Sequence, residues 1–266
     1  MDWGMSNRLA RIMGRDGRAV MLAVDHGYFM GPTSGLEEPR RTIAPLLPFA
    51  DSIMLTRGVL RTSVDPAAAG AVVLRVSGGA SILRELSNED ITVAMEDALR
   101  LGVSAVALSI LVGAEFEKQT LVSLARLVDE GQRYGMPVLA VTAVGKDMAR
   151  DARYLGLACR IAAEQGAHVV KTYHCEDFES VVRACPIPII VAGGKKTSEL
   201  DALKLTFDAV AGGAVGVDMG RNIFQSTSPV GMIQAVRAVV HEKASVEEAF
   251  GAFEGRRAAH LRPVGR

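Results

Sequence analysis

The chain has 266 residues, 49% of them hydrophobic and 23% charged, with 30 Lys plus Arg against 30 Asp plus Glu. That is enough for one barrel-sized domain or two small ones, and the even charge balance provides no global field to attract nucleic acid or an anionic membrane. One Trp and few other aromatics leave little for base stacking, and no apolar run reaches the roughly 18 residues of a membrane span.

The three cysteines, Cys159, Cys175 and Cys185, form no CxxC pair and are odd in number, which fits a reducing, cytoplasmic compartment. The N-terminus has no apolar segment of the kind that drives secretion.

Gly4–Arg15 places Met5, Leu9, Ile12 and Met13 at helical spacing, with Arg8, Arg11 and Arg15 on the other face. A short leading helix is predicted there. Ala19–Val24 is then a continuous apolar run, bounded by Gly17 and by Asp25-His26-Gly27. Such a run suits a strand buried on both faces, as in a parallel sheet. The pattern recurs at Ile53–Leu55, Val72–Leu74, Val103–Leu108, Val138–Val141, His168–Val170, Ile187–Val191 and Val215–Val217. Each of the eight runs ends in polar residues or Gly.

Helical stretches are predicted between most of the runs. Asn88–Leu101 has Asn88 as a plausible N-cap, with Glu89 and Asp90 near the positive end of the helix dipole. Glu115–Tyr134, Asp151–Gln165 and Thr197–Gly212 follow. The run ends lie roughly 20–35 residues apart, against about 30 for an eight-unit barrel of ~250 residues. The fold class predicted is α/β, a single (β/α)8 barrel with a short N-terminal helix, spanning residues 1–254. Residues 255–266, with Arg256, Arg257, Arg262 and Arg266, are expected to form a basic surface tail. The competing architecture is an open doubly wound sheet, but the first turn, Asp25-His26-Gly27-Tyr28, lacks GxGxxG.

In such a barrel ligands bind at the C-terminal ends of the strands, and a phosphate site often follows the seventh and eighth. Lys171 comes straight after the sixth run. Partial burial disfavours an ammonium, and the neutral amine can attack a carbonyl to form a Schiff base. The plain alternative is a lysine that snorkels to solvent or holds a phosphate by charge. Gly193-Gly194 and Gly220-Arg221-Asn222 fit a phosphate cradle, since glycine lets backbone N–H groups approach oxygen and arginine adds a forked contact. Gly is also simply common in such turns. Asp25 and His26 could move protons near a substrate carbon, or could be a cap and a satisfied buried imidazole. Lys146-Asp147 and Lys195-Lys196 are further charges at run ends. Cys175 reads as a small buried thiol rather than a nucleophile. No metal-ligand spacing occurs, so no metal is expected.

These motifs carry a resemblance. Ala23-Val-Asp25-His26-Gly27, Ala167-His-Val-Val-Lys171-Thr-Tyr, Ala192-Gly-Gly-Lys195 and Met219-Gly-Arg221-Asn222 resemble the class I aldolases of the archaeal fructose-bisphosphate and deoxyribose-phosphate superfamily. Longer strings, Asp25–Glu37, Ser81–Asn88, Ala140–Met148 and Gly216–Gln225, resemble its thiolase branch, which acts in autoinducer-2 breakdown. The resemblance implies a Schiff-base lysine at Lys171, a catalytic histidine at His26 aided by Asp25, and phosphate binding by Gly193, Gly194, Gly220 and Arg221. It implies transfer of an acetyl group from a phosphorylated dione to coenzyme A, which serves as co-substrate with no bound cofactor. Acetyl-CoA and dihydroxyacetone phosphate would be the products. It also implies a homo-oligomer, a decamer of two pentameric rings. The fructose-bisphosphate aldolases of the superfamily place a proton-transferring tyrosine after the fifth strand, where this chain has Ala143. The rival functions are a class I sugar-phosphate aldolase, a transaldolase-like synthase of amino-sugar precursors, and a sugar-phosphate-binding protein without activity.

Overall fold

A computed structural model describes residues 1–143 and 149–261. The strands are β1 (Ala19–Ala23), β2 (Ser52–Thr56), β3 (Ala71–Arg75), β4 (Ser77–Gly78), β5 (Asp90–Ile91), β6 (Ala105–Ile110), β7 (Val138–Thr142), β8 (Val169–Thr172), β9 (Ile189–Ala192) and β10 (Gly216–Met219). Eight of them close a barrel in the order β1-β10-β9-β8-β7-β6-β3-β2, every neighbouring pair parallel. They coincide with the eight apolar runs, and the fold is the expected (β/α)8 barrel.

Alternation along the strands divides the apolar residues into two cores. Met21, Ala23, Met54, Val73, Ala105, Ala107, Leu139, Val169 and Ile190 fill the barrel. Val20, Leu22, Leu55, Leu74, Val106, Val170 and Val217 face the surrounding helices. The leading helix, Trp3–Ile12, is capped by Asp2, whose carboxylate accepts the Met5 N–H at 2.7 Å. Its Ile12, with Leu9 and Met13 beside it, joins the interior core. That end of the barrel is thereby stoppered, which leaves the opposite mouth for a ligand.

Glu117–Tyr134, Ala152–Glu164 and Glu199–Ala211 are helices, close to the predicted spans. Asn88–Leu101 is not one helix. Helix forms only over Met95–Arg100, because Asp90–Ile91 pairs antiparallel with Ser77–Gly78 and Glu89 turns inward to accept a hydrogen bond from Ser77 Oγ at 2.6 Å. This small hairpin carries residues 79–89 across the open mouth. At the C-terminus, Pro229–Glu242 and Val246–Leu261 are helices that the sequence reading did not single out. The boundary expected between residues 254 and 255 falls inside the second of them. Ala249 and Phe253 bury one face of that helix, and no proline falls within it. Arg256 and Arg257 thus belong to the helix instead of starting a separate tail.

Candidate active site

The inward-facing series on several strands goes one step beyond its apolar layers, and that step is polar. Val73 is followed by Arg75, Ala107 by Ser109, Val169 by Lys171, and Ala23 by Asp25, with Asp218 inward on β10. All five side chains are buried. They line a cavity of about 280 Å³ at the C-terminal ends of the strands. A larger cleft of about 720 Å³ lies at the other end, near Ala71 and Ser104, but it gathers no comparable acid–base group.

Lys171 lies within β8, in register with Val141 on one side and Ile190 on the other, rather than after the strand. Its Nζ is 2.7 Å from Oδ2 of Asp218. Neither Asp218 oxygen receives a well-directed hydrogen bond, so the contact is one of charge with charge. Burial pushes the Asp218 carboxyl up to about 6, a shift that Lys171 opposes and Asp25 reinforces.

Asp25 is in the opposite position. Burial alone would raise its pKa, but Arg75 and then Lys171 outweigh burial and hold it below the ordinary carboxylate range. Arg75 donates from Nε to Asp25 Oδ2 at 3.0 Å and from Nη1 to Ser109 Oγ at 2.9 Å. Its guanidinium carbon lies 5.1 Å from the centre of the Tyr28 ring. The Ser109 N–H donates to Ser77 Oγ at 3.1 Å, and Ser77 donates to Glu89, so a buried polar chain joins the hairpin to Asp25.

His26 follows Asp25 at the N-cap position of the short helix Gly27–Met30, where its side chain makes no capping bond. Burial pushes its imidazole down to about 4 against the pull of Asp25, so it is neutral at physiological pH. Its Nδ1 is buried without a hydrogen-bond partner. The ring rests on Gly220 and meets Phe224 edge-on, with centroids 5.9 Å apart. A side-chain carbon on Gly220 would collide with that ring and with Ala23 O, so only glycine allows β10 to approach β1 here.

The loop after β9 is held by the residues after β10. Asn222 is fully buried; its Nδ2 donates to Gly193 O at 2.7 Å and its Oδ1 accepts the Thr197 N–H at 2.9 Å. Arg221 Nη2 donates to Gly194 O at 2.9 Å, while its Nε is buried and unpartnered. Gly194 has φ of 69°, the left-handed region, with open space where a Cβ would stand. The Gly193 N–H donates to Asp218 O at 3.2 Å, which ties this loop to the carboxylate strand.

All seven residues singled out by sequence, Asp25, His26, Lys171, Gly193, Gly194, Gly220 and Arg221, line this one cavity. Sequence reasoning missed Arg75, Ser109 and Asp218, and it read Asn222 as part of the phosphate cradle, whereas its side chain holds the loop after β9. Arg75 and Asp218 each close an apolar run, which is the signal that could have found them. Lys196 is turned away in an ion pair with Glu199 at 3.5 Å, and Lys146-Asp147 lies outside the described residues. Cys175 is a buried thiol whose pKa burial raises. Among the described residues, no group of three or more His, Cys, Asp or Glu comes together in a way that could hold a metal ion.

Residues 19–226 match the model of the DeoC/LacD family aldolases. A 3-hydroxy-5-phosphonooxypentane-2,4-dione thiolase of Enterobacter sp. (strain 638) is 60% identical over 252 residues, covering 94% of this chain and 85% of the relative. A protein of the same name from Photorhabdus laumondii is 56% identical over 255 residues, covering 95% and 88%. Among solved structures, an archaeal fructose 1,6-bisphosphate aldolase superimposes with a TM-score of 0.80 at 27% identity, covering 90% of this chain and 99% of that one. Another, with its catalytic lysine covalently bound to a carbinolamine intermediate, gives 0.81 at 26%, covering 89% and 99%. The chain belongs to the DeoC/LacD family of aldolases.

Proposed function

We propose that this enzyme transfers the acetyl group of 3-hydroxy-5-phosphonooxypentane-2,4-dione to coenzyme A, releasing acetyl-CoA and dihydroxyacetone phosphate. The observation that carries the reading is the extent of likeness to proteins with that thiolase name, 54–60% identity across 94–98% of the chain. The buried Lys171 in a mouth flanked by Arg221 supports it.

Lys171 condenses with the C4 carbonyl, the one that remains in dihydroxyacetone phosphate. The coenzyme A thiol adds to C2, and the C2–C3 bond breaks with its electron pair drawn into the C4 iminium. C3 then takes a proton and water releases the ketone. His26, neutral and lining the cavity, accepts the thiol proton and returns it to C3. Asp25, fixed by Arg75, supplies negative charge beside the cationic intermediates. Arg221 and the glycines at 193, 194 and 220 receive the phosphate. Coenzyme A is a co-substrate, and no bound cofactor takes part.

The same reading makes the protein a cytoplasmic homo-oligomer, a decamer of two pentameric rings. Trp3, 80% exposed on the leading helix, is apolar surface that an assembly would cover. Among the described residues, no helix is long and apolar enough to cross a membrane. Light scattering at micromolar protein tests the assembly, and a monomer would remove it.

The test of function is acetyl-CoA formation from the phosphorylated dione, with and without coenzyme A, beside a panel of sugar phosphates. Coenzyme A-dependent release of dihydroxyacetone phosphate is expected. Cleavage of sugar phosphates alone would make the protein an aldolase, and binding without turnover would make it neither.

A further inference from the structure

The cavity holds two buried aspartates, Asp25 and Asp218, in unlike surroundings. Asp25 meets Arg75 through Nε and Nη2, each at 3.0 Å, so its charge is already matched. Asp218 is 1% exposed, and among the described residues the one cation in contact with it is the Lys171 ammonium. Among the described residues, the charged or titratable groups around the pair include Asp25 and His26 after β1, Arg75 at the end of β3 and Arg221 after β10. None of these takes a hydrogen bond from Lys171, and Glu89 is engaged by Ser77.

Schiff-base formation needs proton traffic at the lysine nitrogen. The ammonium must lose a proton before its lone pair can attack, and the carbinolamine hydroxyl must gain one before it can leave. We propose that Asp218 is the acid–base partner of Lys171, taking a proton from the ammonium before attack and returning it to the carbinolamine hydroxyl. Two ammonium hydrogens thereby depart with the carbonyl oxygen as water. The C–O double bond is replaced by a C–N double bond, and Asp218 ends as the carboxylate opposite the iminium. Charge is conserved at each stage, one cation facing one anion at the start and at the end, and no other reactant is required.

The environments of the two carboxyls support this division of labour. Asp25 is held low by Arg75, too weak a base to accept the proton, whereas Asp218, pushed up to about 6 by burial, can exchange it near neutral pH. Separating two like groups in this way is how one site keeps a fixed charge beside a proton carrier. The inference rests on Lys171 being the imine-forming residue.

The experiment is reductive trapping with dihydroxyacetone phosphate and cyanoborohydride, followed by intact mass, on the wild type, Asp218→Asn and Asp218→Ala. At pH 7 the Asn variant should be trapped about 10²-fold or more slowly than the wild type, since a positioned acid–base group contributes that much. Its rate should climb about tenfold per pH unit as hydroxide takes over. Added formate should restore part of the rate of the Ala variant and none of the Asn variant. The wild type supplies an arm that needs no variant: its trapping rate should fall below about pH 6, where the pair gains a second proton. Trapping of the Asn variant at the wild-type rate at pH 7, or a wild-type rate unchanged down to pH 5, overturns the role of Asp218. Absence of any wild-type adduct at any pH is a different failure, since it removes Lys171 as the imine-forming residue.

Discussion

Two nitrogens of Arg75, Nε and Nη2, converge on a single oxygen of Asp25, each at 3.0 Å, with both side chains almost wholly buried. The residues are 50 positions apart, and they meet because β1 and β3, with β2 between them, curve around the same mouth. A buried pair of this kind is costly to break, since the surviving charge is left without a partner or water.

Arg75→Met should therefore destabilise the protein by about 3–5 kcal/mol. Arg75→Lys should recover little, because an ammonium lacks the fork that reaches both Asp25 and Ser109. The double variant Arg75→Met/Asp25→Leu should recover most of the loss. Urea denaturation midpoints check this, and an unchanged midpoint for Arg75→Met would show the pair to be dispensable for folding.

The barrel was legible because eight buried strands leave eight apolar runs, and burial on both faces erases any ambiguity of face. Lys171 and the Gly-Gly and Gly-Arg turns were legible because they interrupt those runs where this fold places ligands. Arg75 and Asp218 also end runs, but one arginine or aspartate in a turn looks the same whether it points to solvent or to the barrel axis. Only closure of β10 against β1 and β9, and of β3 against β2 and β6, decides that direction. The helix expected from Asn88 failed for a similar reason: the local capping signal was overridden by a hairpin whose partner strand lies 12 residues earlier. The long C-terminal helices lie beyond the last strand, where no run remained to bracket them.

Lys171→Ala should abolish turnover and reductive trapping together while the fold survives. The substitution leaves Asp218 without its cation, and a carboxyl already raised by burial then becomes neutral by taking up a proton. Circular dichroism should be that of the wild type, and turnover should fall below a few per cent. Retained turnover above that level would exclude Lys171 from the chemistry.

Arg221→Ala should raise KM for the phosphorylated substrate by about 10- to 100-fold, with a smaller effect on kcat. A charge-assisted hydrogen bond is worth about 1.5–3 kcal/mol, and each 1.4 kcal/mol is a factor of ten. Its other contact, to Gly194 O, is with the loop expected to hold the same phosphate, so both losses act in one direction. Steady-state kinetics check this, and an unchanged KM would move the phosphate elsewhere.

Stability should depend on pH through His241, at the stoppered end. Its Nδ1 meets Asp16 Oδ2 at 2.9 Å and its Nε2 meets Asp51 Oδ2 at 2.8 Å, while Asp51 also accepts from Arg237. The hydrogen bond with Asp51, followed by that with Asp16, outweighs burial and raises the imidazole above its ordinary value. A raised folded-state pKa contributes stability that is fully present below the unfolded value of about 6.5 and is lost as pH rises through the folded value. The difference in urea midpoint between wild type and His241→Gln should therefore be largest near pH 6 and shrink above pH 7. A difference that grows with pH would contradict the bridge.

Fructose 1,6-bisphosphate should be cleaved poorly, with kcat/KM at least about 10²-fold below that for the phosphorylated dione with coenzyme A. Aldol cleavage needs a base for the C4 hydroxyl proton, and a positioned group supplies about 10²–10⁴-fold in such a transfer. Ala143, directly after β7, presents only a methyl group to the cavity at the position where the resemblance expects a tyrosine. Two other tyrosines line the mouth. Tyr173 lies under the Arg150 guanidinium, 4.0 Å from the centre of its ring. Tyr28 faces Arg75, and burial pushes its hydroxyl up to about 12, so it holds its proton at neutral pH and does not serve as a base. Cleavage of the dione has no hydroxyl proton to remove, because it begins when a thiol adds to a carbonyl. Its demands are an electron sink, an anchor for the phosphate and a proton for the departing carbon. Measuring kcat/KM for the two substrates decides the matter, and equal or better efficiency on fructose 1,6-bisphosphate would make aldol cleavage the better description of this site.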